Sequence, residues 1–577
     1  MTARWSICPV RRELREQWSR VLKISPLLAQ CLINRGIVEL SQASTFLNPR
    51  LQDLRDPFEL PGMRQAVNRL WQAREQGEIV LIFGDYDVDG VTSTAIVLET
   101  LRGLGIRGRH YLPRRRDDGY GLSSSGLNAC LHTRPTQLLL AVDCGSNADV
   151  AIRQLQNQGV DVIVVDHHQV SDPAPPALAI VNPRVRDNPT GSGLELCSAG
   201  LAFKLAHALV KQGRQDGLRE AMDFDVRMLL DLVALGTIAD LVPLRDENRV
   251  LVSAGLARLN ATPRTGLQSL ARAARIRKTI GVFETAFQLA PRLNAAGRMA
   301  APEPALDLLM TTTSEEGFAL SQTLDRCNQD RKVTERQILK EVNACVEHRM
   351  QSQDDFVIIE GNHPWHIGVV GIVASRVMRE YHRPAIILGG DGSCLRGSGR
   401  SIVGFDIAVA LRECDDLLES HGGHAMAAGV TVLPVKLDAF RDRMNDLASR
   451  ALSPDQLQPE LQLDAEVKLK TVSMENILEL ERLAPFGMGN PGCQFATRGV
   501  RLVGTPQRIG MDKQHYKLQV ADEQVQHEAI WWNAGHDAKL PTGQFDLAYS
   551  IGLNEFMGKT SVQLRWLDWR PDSSRAG

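Results

Sequence analysis

Five consecutive apolar residues, Ile79-Val80-Leu81-Ile82-Phe83, stand between charge and glycine, and similar runs follow at 138–142 (Leu-Leu-Leu-Ala-Val) and 161–165 (Asp-Val-Ile-Val-Val). A strand with one wet face alternates apolar and polar residues, whereas an unbroken apolar run is buried on both faces. Helix-compatible stretches separate the runs, so the pattern predicts an α/β fold with a parallel sheet covered on both sides. Upstream, Leu22, Ile24, Leu27, Leu28, Cys31 and Leu32 recur at helical spacing and Gly36 ends the segment, which predicts a small helical element over 1–75. The parallel-sheet domain is expected over 76–313. One long helix is predicted over 314–350, where Ile338, Val342, Cys345 and Val346 recur at 3- and 4-residue steps. A second α/β block, with strand-like runs at 356–359 and 385–388, fills 351–455. From 456 to 577 the runs shorten to 500–503, 516–520, 526–531, 545–549 and 561–567, which predicts a small β-barrel.

Composition narrows the classes without choosing one. At 577 residues, 43% apolar and 23% charged, the chain is an ordinary soluble multidomain protein. No apolar run reaches membrane-spanning length, and the first residues lack the apolar core of a signal peptide. Ten cysteines are scattered singly, without the spacing of a disulfide framework or zinc site, so a reducing cytoplasm is the expected compartment. The net charge of −2 excludes a global polyanion-binding signal; any nucleic-acid site must be local.

The chemistry lies at the ends of the three buried runs. Asp85, Asp87 and Asp89 follow the first, Asp143-Cys144-Gly145 the second and Asp166-His167-His168 the third. Alternate residues of an extended chain point the same way, and ligands of open α/β sheets bind beyond the carboxyl ends of the strands. Clustered carboxylates repel one another in a low-dielectric setting, and oxygen ligands call for Mg²⁺ or Mn²⁺. Asp240, in the otherwise apolar Gly236-Thr237-Ile238-Ala239-Asp240-Leu241-Val242, needs a partner too, either this metal or an arginine. The last section holds four of the eight tryptophans among Lys and Arg, a composition suited to base stacking along a single strand, although Trp531 and Trp566 each read individually as core.

Asp85-Tyr86-Asp87-Val88-Asp89-Gly90, Val142-Asp143-Cys144-Gly145, Asp166-His167-His168 and Gly236-Thr237-Ile238-Ala239-Asp240 resemble, in order, the four motifs of the DHH phosphoesterase superfamily. Gly397-Ser398-Gly399-Arg400-Ser401 and His421-Gly422-Gly423-His424-Ala425-Met426-Ala427-Ala428-Gly429 resemble its associated DHHA1 domain, with His421 in place of the usual first glycine. From near residue 20 to near 570 the chain is most similar to the bacterial single-strand-specific 5′→3′ DNA exonucleases of that superfamily. The resemblance implies a DHH parallel-sheet domain joined by a long helix to a DHHA1 α/β domain, a helical N-terminal element and a C-terminal OB-fold barrel.

It also implies roles. Two ions, Mn²⁺ or Mg²⁺, would be held by Asp87, Asp89, Asp143, His167 and Asp240, with Asp143 bridging; imidazole beside oxygen favours Mn²⁺. Asp85 either ligates directly or orients a neighbour. His168 would face the scissile phosphate as donor or proton carrier. Arg115, Ser398 and Arg400 would hold a terminal 5′ phosphate, with His421 and His424 in the glycine-rich loops beside them, and a narrow channel would exclude a duplex. Arg292 and Arg298 would lie near the strand path, extended electrostatically by Arg264, Arg272, Arg275, Arg277 and Lys278. Single-stranded DNA is the implied substrate. Single-strand-binding protein and a helicase are the implied partners, in recombination and mismatch repair, with no membrane involved. Two alternatives stand beside this reading: a DHH phosphodiesterase of short oligonucleotides or cyclic dinucleotides, and a non-catalytic single-strand-binding scaffold. The first has no use for the end segments, and the second would lose its metal carboxylates, all of which are kept here.

Overall fold

The computed structural model describes residues 3–114, 121–132, 136–186, 194–349, 355–535, 538–556 and 558–572. Its contacts divide into two units: 48–336 with 485–490, and 1–47 with 337–484 and 491–577.

In the first unit the three apolar runs are strands of one parallel sheet. It comprises β1 (Ile79–Phe83), β2 (Arg107–Tyr111), β3 (Leu138–Val142), β4 (Asp161–Val165) and β5 (Ala179–Val181), in the order β2-β1-β3-β4-β5. Alternate side chains serve opposite faces. Val80, Ile82, Leu138, Leu140, Ile163 and Val165 enter one core, and Leu81, Phe83, Leu139, Ala141, Val162 and Val164 the other. Each large apolar side chain buried this way contributes about 1.5–3 kcal/mol. Over the first face lie α1 (Val88–Gly103), α2 (Ser198–Gln215) and α3 (Leu230–Ala239). Then come α4 (Ala290–Met299) and α5 (Ser314–Arg349), a 36-residue helix that runs into the second unit. The short segment 485–490 belongs here because Leu244 N–H donates to the Met488 carbonyl (2.8 Å) and Arg245 Nε to that of Gly489 (2.7 Å).

The second unit contains a mixed sheet. Its strands β6 (Ile358–Asn362), β7 (Ala385–Asp391), β8 (Cys394–Arg400), β9 (Leu418–His424) and β10 (Ala427–Val432) run in the order β9-β10-β8-β7-β6, and α6 (Val370–Tyr381) packs on it. The glycine-rich motifs, expected as loops, are therefore the antiparallel ladder β8-β10-β9. Glycine is poor in strands unless a neighbour comes close, and it does here. A Cβ on Gly397 would sit 1.9 Å from the Ile387 carbonyl oxygen, and one on Gly399 2.4 Å from Ile407 Cδ1.

A five-stranded barrel completes this unit: β11 (Gln494–Ile509), β12 (His515–Ala521), β13 (Gln526–Trp531), β14 (Gln544–Phe556) and β15 (Lys559–Pro571). It closes as β11-β12-β13-β15-β14-β11, with only β13 and β15 parallel, which is an OB-type barrel without free edges. Trp566 is buried inside it and stacks on the half-buried Trp531 with centroids 5.3 Å apart, so Trp566 is core and Trp531 covers it.

The first 75 residues do not stay together. Strand Arg4–Ile7 pairs in parallel with Glu460–Leu463 and Trp5 Nε1 donates to Asp568 (2.8 Å), so the N-terminus belongs with the barrel. Helix Met63–Glu75 packs into the parallel-sheet core instead. Among the described residues no helix is long and apolar enough to cross a membrane.

Candidate metal centre

At the carboxyl end of β1 the chain turns on Gly84 into Asp85, which is 2% exposed and accepts the N–H of Tyr86 (2.8 Å). Asp87 caps α1 by accepting from Gly90 N–H (3.1 Å). The glycine closing this motif is required, since a Cβ there would lie 2.5 Å from the Asp85 carbonyl oxygen. Asp89, in the first turn of α1, is gripped by the start of α2, where Ser198 N–H (2.7 Å) and Ala199 N–H (2.8 Å) donate to its two oxygens. A helix N-terminus has such donors spare, and its dipole favours the carboxylate.

β3 delivers Asp143 in a left-handed conformation, φ 62°, which a non-glycine residue adopts at a cost of order 1–2 kcal/mol. Its Oδ1 accepts from Ser198 Oγ at 3.0 Å. β4 ends in Asp166, which accepts from the N–H groups of Ser146, His167 and His168 and from His168 Nδ1 (2.7 Å). His167 Nε2 points the other way, 3.5 Å from Asp143, 3.6 Å from Asp240 at the end of α3, and 3.9 Å from Asp89.

The two histidines carry opposite charge preferences. Burial, and then the cation of His168, push His167 down to about 4, so it is a neutral imidazole. Its contacts with the carboxylates are thus convergence of ligand atoms rather than ion pairs. Burial also opposes charge on His168, but the hydrogen bond and charge of Asp166, with Asp240 and Asp85 nearby, lift it to about 9. Asp166 correspondingly falls well below the usual carboxylate range, His168 overcoming its burial.

The remaining carboxyls move upward. Burial and Asp87 raise Asp89 to about 6; burial, then Asp89 and Asp87, raise Asp240 to about 9; Asp143 rises through burial and then Asp89, Asp87 and Asp85. Without a cation Asp143 and Asp240 favour the protonated form, whereas Asp89 keeps its proton only into weakly acidic solution. His167 Nε2 and Asp240 Oδ2 are buried with no hydrogen-bond partner. Orphaned polar atoms of this kind are costly, and a divalent cation satisfies both at once. Two ligand groups fit one, Asp85/Asp87/Asp143 and Asp89/His167/Asp240. A third convergence, Asp143/His167/His168, shares a member with each but includes the cationic His168, which cannot ligate; in all three the ligand atoms lie within 4.8 Å of one another. Asp143 and His167 each occur in two of the three. A fourth group, Cys31/Asp464/Cys493 in the other unit, already has a cation on it: Arg35 lies 3.6 Å from Cys493 Sγ and 3.5 Å from Asp464.

The structure adds residues that local sequence did not single out. Ser198 holds two of the carboxylates. Asn182 fixes the His168 loop by donating to the His168 carbonyl and Ser146 Oγ, both at 2.8 Å. Asn294 of α4 accepts from Val88 N–H (3.1 Å), and Gly297 lets α4 approach the acidic turn, since a Cβ there would lie 2.8 Å from the Tyr86 carbonyl oxygen. The partners are tens to hundreds of residues apart, so no local pattern announces them. Exposed Arg184 contributes to the electrostatics of His167 and Asp240.

Several expected substrate contacts stand elsewhere. Arg264, its side chain 10% exposed, pairs with Glu99 and Asp231, which makes it a structural brace whose charge is spent on those acids rather than on extending the strand path. Arg292 pairs with Asp325 (2.8 Å), and half-buried Arg298 follows Gly297 on α4. Arg115 lies outside the described residues.

In the second unit Ser398 and Arg400, two apart on β8, share the sheet face that meets the start of α6. A Cβ on Gly371 would lie 3.2 Å from Ser398 Oγ and 3.7 Å from an Arg400 nitrogen. The register places His424 opposite Ala427, itself opposite Arg400, so His424 is on that face. His421 is opposite Val430, which faces the hydrophobic core, so it lies on the other face and pairs with Asp415 (3.1 Å). It is not part of the Ser398–Arg400 group, because strand alternation separates neighbours that a loop could have joined.

Comparison with known proteins agrees with this architecture. The chain matches the DHH family N-terminal domain over residues 79–237, the DHHA1 domain over 354–450 and the RecJ OB domain over 463–568. It is 36% identical to the single-stranded-DNA-specific exonuclease RecJ of Bacillus subtilis over 571 residues, 97% of this chain and 70% of that one. With the Escherichia coli enzyme of the same name it shares 34% over 581 residues, 96% and 97% of the two chains. A crystal structure of RecJ from Thermus thermophilus in complex with Mn²⁺ superposes with a TM-score of 0.84 at 30% identity, covering 99% of this chain and 80% of that one. By these matches over nearly its whole length, and by the acid-and-histidine edge of its parallel sheet, the chain belongs to the RecJ family of DHH/DHHA1 proteins.

Proposed function

We propose that this protein is a metal-dependent exonuclease that degrades single-stranded DNA from its 5′ end. The observation that carries the reading is the buried His167 Nε2, partnerless between Asp143, Asp240 and Asp89 at the strand ends of a RecJ-family sheet. Asp87, Asp89, Asp143, His167 and Asp240 would hold two divalent cations, Mn²⁺ or Mg²⁺, with Asp143 common to both and Asp85 beside them. Bound there, the ions neutralise charge on the phosphoryl group and make water acidic enough to attack near neutral pH.

The protein's own groups do the rest. Asp166 occupies His168 Nδ1 and keeps the ring protonated, so Nε2–H remains to donate to a phosphate oxygen or to the departing 3′ oxygen. Ser198 and the start of α2 hold Asp89 and Asp143 in place before substrate arrives. Ser398, Arg400 and His424 on β8 and β9 bind the terminal 5′ phosphate, Arg298 contacts strand phosphates and the barrel binds single-stranded DNA. The work divides among the catalytic domain 76–313, the helix 314–350, the phosphate-binding domain 351–455 and the strand-binding barrel 456–577, with the first 75 residues shared between barrel and catalytic core. The enzyme acts in the cytoplasm, in recombination and DNA repair, alongside single-strand-binding protein and a helicase.

The test uses matched single strands labelled at either end, with chelated and Mn²⁺-replete protein. Expected are release of the 5′ label first, a duplex left intact and no reaction after chelation. Cation-independent hydrolysis, or release of the 3′ label first, would overturn the reading.

A further inference from the structure

The segment between residues 272 and 289 lies outside the metal centre and the Ser398–Arg400 group, and the resemblance gives its cations only a long-range electrostatic part along the strand path. It exposes four cations, Arg272, Arg275, Arg277 and Lys278, none of which forms an ion pair among the described residues. Two aromatic side chains follow, Phe283 at 60% exposure and Phe287 at 64%, with ring centroids 5.0 Å apart and tilted by 36°. The one acid in the segment, Glu284, is used to cap Gly281 N–H (2.9 Å).

This is a built surface rather than a frayed turn. Asn260 holds Ile280 at both its N–H (2.8 Å) and its carbonyl (2.9 Å), fixing the cationic loop. The inner side of the aromatic turn is buried: Val282 and Ala286 pack on Ala234, Ile238, Leu244 and Val252, and Thr285 and Leu289 are covered. Residues Thr285–Leu289 form a π-helical turn, a wide turn that costs hydrogen-bond geometry and tends to persist where it serves a site. The turn leans on α3, which ends in Asp240, and continues into α4, which braces the acidic turn through Asn294.

We propose that Phe283 and Phe287, with Arg275, Arg277 and Lys278, form a second contact for single-stranded nucleic acid, where unpaired bases stack on the rings and phosphates pass over the cations. Charge selects the occupant. An excess of fixed cations beside bare rings matches a polyanion whose bases are free, whereas paired bases have no exposed faces to offer. Neither ring belongs to the catalytic machinery, so losing them should weaken the hold on strands long enough to reach the turn and spare the reaction on short ones.

The proposal rests on the protein being a single-strand nuclease, and its test separates the two. Full-length wild type and Phe283→Ala/Phe287→Ala are compared in chelator for binding of a long base-bearing strand and an abasic strand of equal length, and in Mn²⁺ for hydrolysis of a short oligonucleotide. The double variant should weaken binding of the base-bearing strand roughly tenfold, bind the abasic strand as wild type does and hydrolyse the short oligonucleotide normally. Phe283→Leu/Phe287→Leu, which keeps apolar bulk without rings, should show the same loss. Arg275→Ala/Arg277→Ala/Lys278→Ala should flatten the salt dependence of binding by about 2 in log–log slope. Equal losses on both strands, unchanged affinity in the ring variants, or a changed oligomeric state with DNA binding intact (a protein-contact patch) would each overturn the proposal. A wild type that fails to hydrolyse the short oligonucleotide would instead sink the nuclease reading.

Discussion

Two sheet edges in this protein gather charge in opposite ways. At the carboxyl edge of the parallel sheet, carboxyls are packed so deeply that Asp89, Asp143 and Asp240 all resist ionisation, Asp240 up to about 9, while His167 is left neutral and unpaired. On β8 the groups are half-buried: Ser398 and Arg400 sit on a glycine-rich ladder, and an Arg400 nitrogen already donates to the Gly399 carbonyl (2.7 Å). The first edge is strained by repulsion and completed only by a cation. The second is at rest, and a ligand there replaces contacts rather than creating the site. Removing a group should therefore be severe at the first edge and graded at the second.

The comparison breaks at once if Asp143→Ala remains active. Asp143 is common to two of the three convergent groups and is held by Ser198, so its loss should lower kcat/KM by about a thousandfold or more, given the several kcal/mol that cation stabilisation supplies. Folding should survive, because the substitution removes a carboxyl that burial and its carboxyl neighbours make unfavourable to ionise. Titration calorimetry with Mn²⁺ and a melting curve check both halves; activity within tenfold of wild type at saturating Mn²⁺ would refute the assignment.

At the second edge, Arg400→Ala should cost tenfold to a hundredfold in kcat/KM on 5′-phosphorylated single strands. Charge-assisted hydrogen bonds contribute about 1.5–3 kcal/mol each. A strand with a 5′ hydroxyl should lose far less, since a terminal monoester carries more charge than the diesters behind it. Equal losses on the two ends would mean that Arg400 does not read the terminal phosphate.

The contrast sharpens with pH. Asp240 keeps its proton to about 9 in the folded protein but releases it at its ordinary value when unfolded. The stability linked to that proton is complete at low pH and is lost as pH rises toward 9. His168, also raised, has the same sign, whereas the lowered His167 and Asp166 act only below about 6.5. Metal-free protein should accordingly melt lower with each step from pH 6.5 to 9. Asp240→Asn should melt a few degrees higher than wild type at pH 8.5, with the gap shrinking at lower pH. Added Mn²⁺ should flatten the wild-type slope, because binding displaces the protons. A pH-independent melting temperature would show the carboxyls to be ionised already.

How much of this was legible follows from where the information sits. β1, β3 and β4 were readable because continuous apolar runs mean burial on both faces, and their terminal acids carried the family motifs. β2 was not: Arg-Gly-Arg-His-Tyr is an edge strand, specified by its neighbour rather than by its own pattern. The β8-β10-β9 ladder hid behind glycines whose purpose, close backbone approach, exists only in three dimensions. Arg264 looked like a surface cation because its partners Glu99 and Asp231 lie far away in sequence. The pairing of Arg4–Ile7 with Glu460–Leu463 bridges more than 450 residues and has no local signature at all.

The smallest expected effect concerns the barrel. Four tryptophans lie beyond residue 456, and the composition did not say which of them is free. Trp531 and Trp566 stack on one another within the barrel, and Trp569 packs against Phe545. Trp532 instead is 45% exposed and meets His515 edge-on at 4.8 Å, leaving ring surface for a base. Deleting the whole barrel would not test this cleanly, since Trp5 and strand Arg4–Ile7 depend on the same region. Trp532→Ala removes the ring alone. Stacking contributes about 1–3 kcal/mol per base, and a half-exposed ring belongs at the low end, so KM on long single strands should rise severalfold. The metal centre is built from other elements, so kcat should stay within twofold. Trp566→Ala is the counterpart, expected to lower the melting temperature because it empties the core. A fall in kcat with KM unchanged in the Trp532 variant would place that residue in the chemistry and undo the distinction between a strained catalytic edge and relaxed binding surfaces.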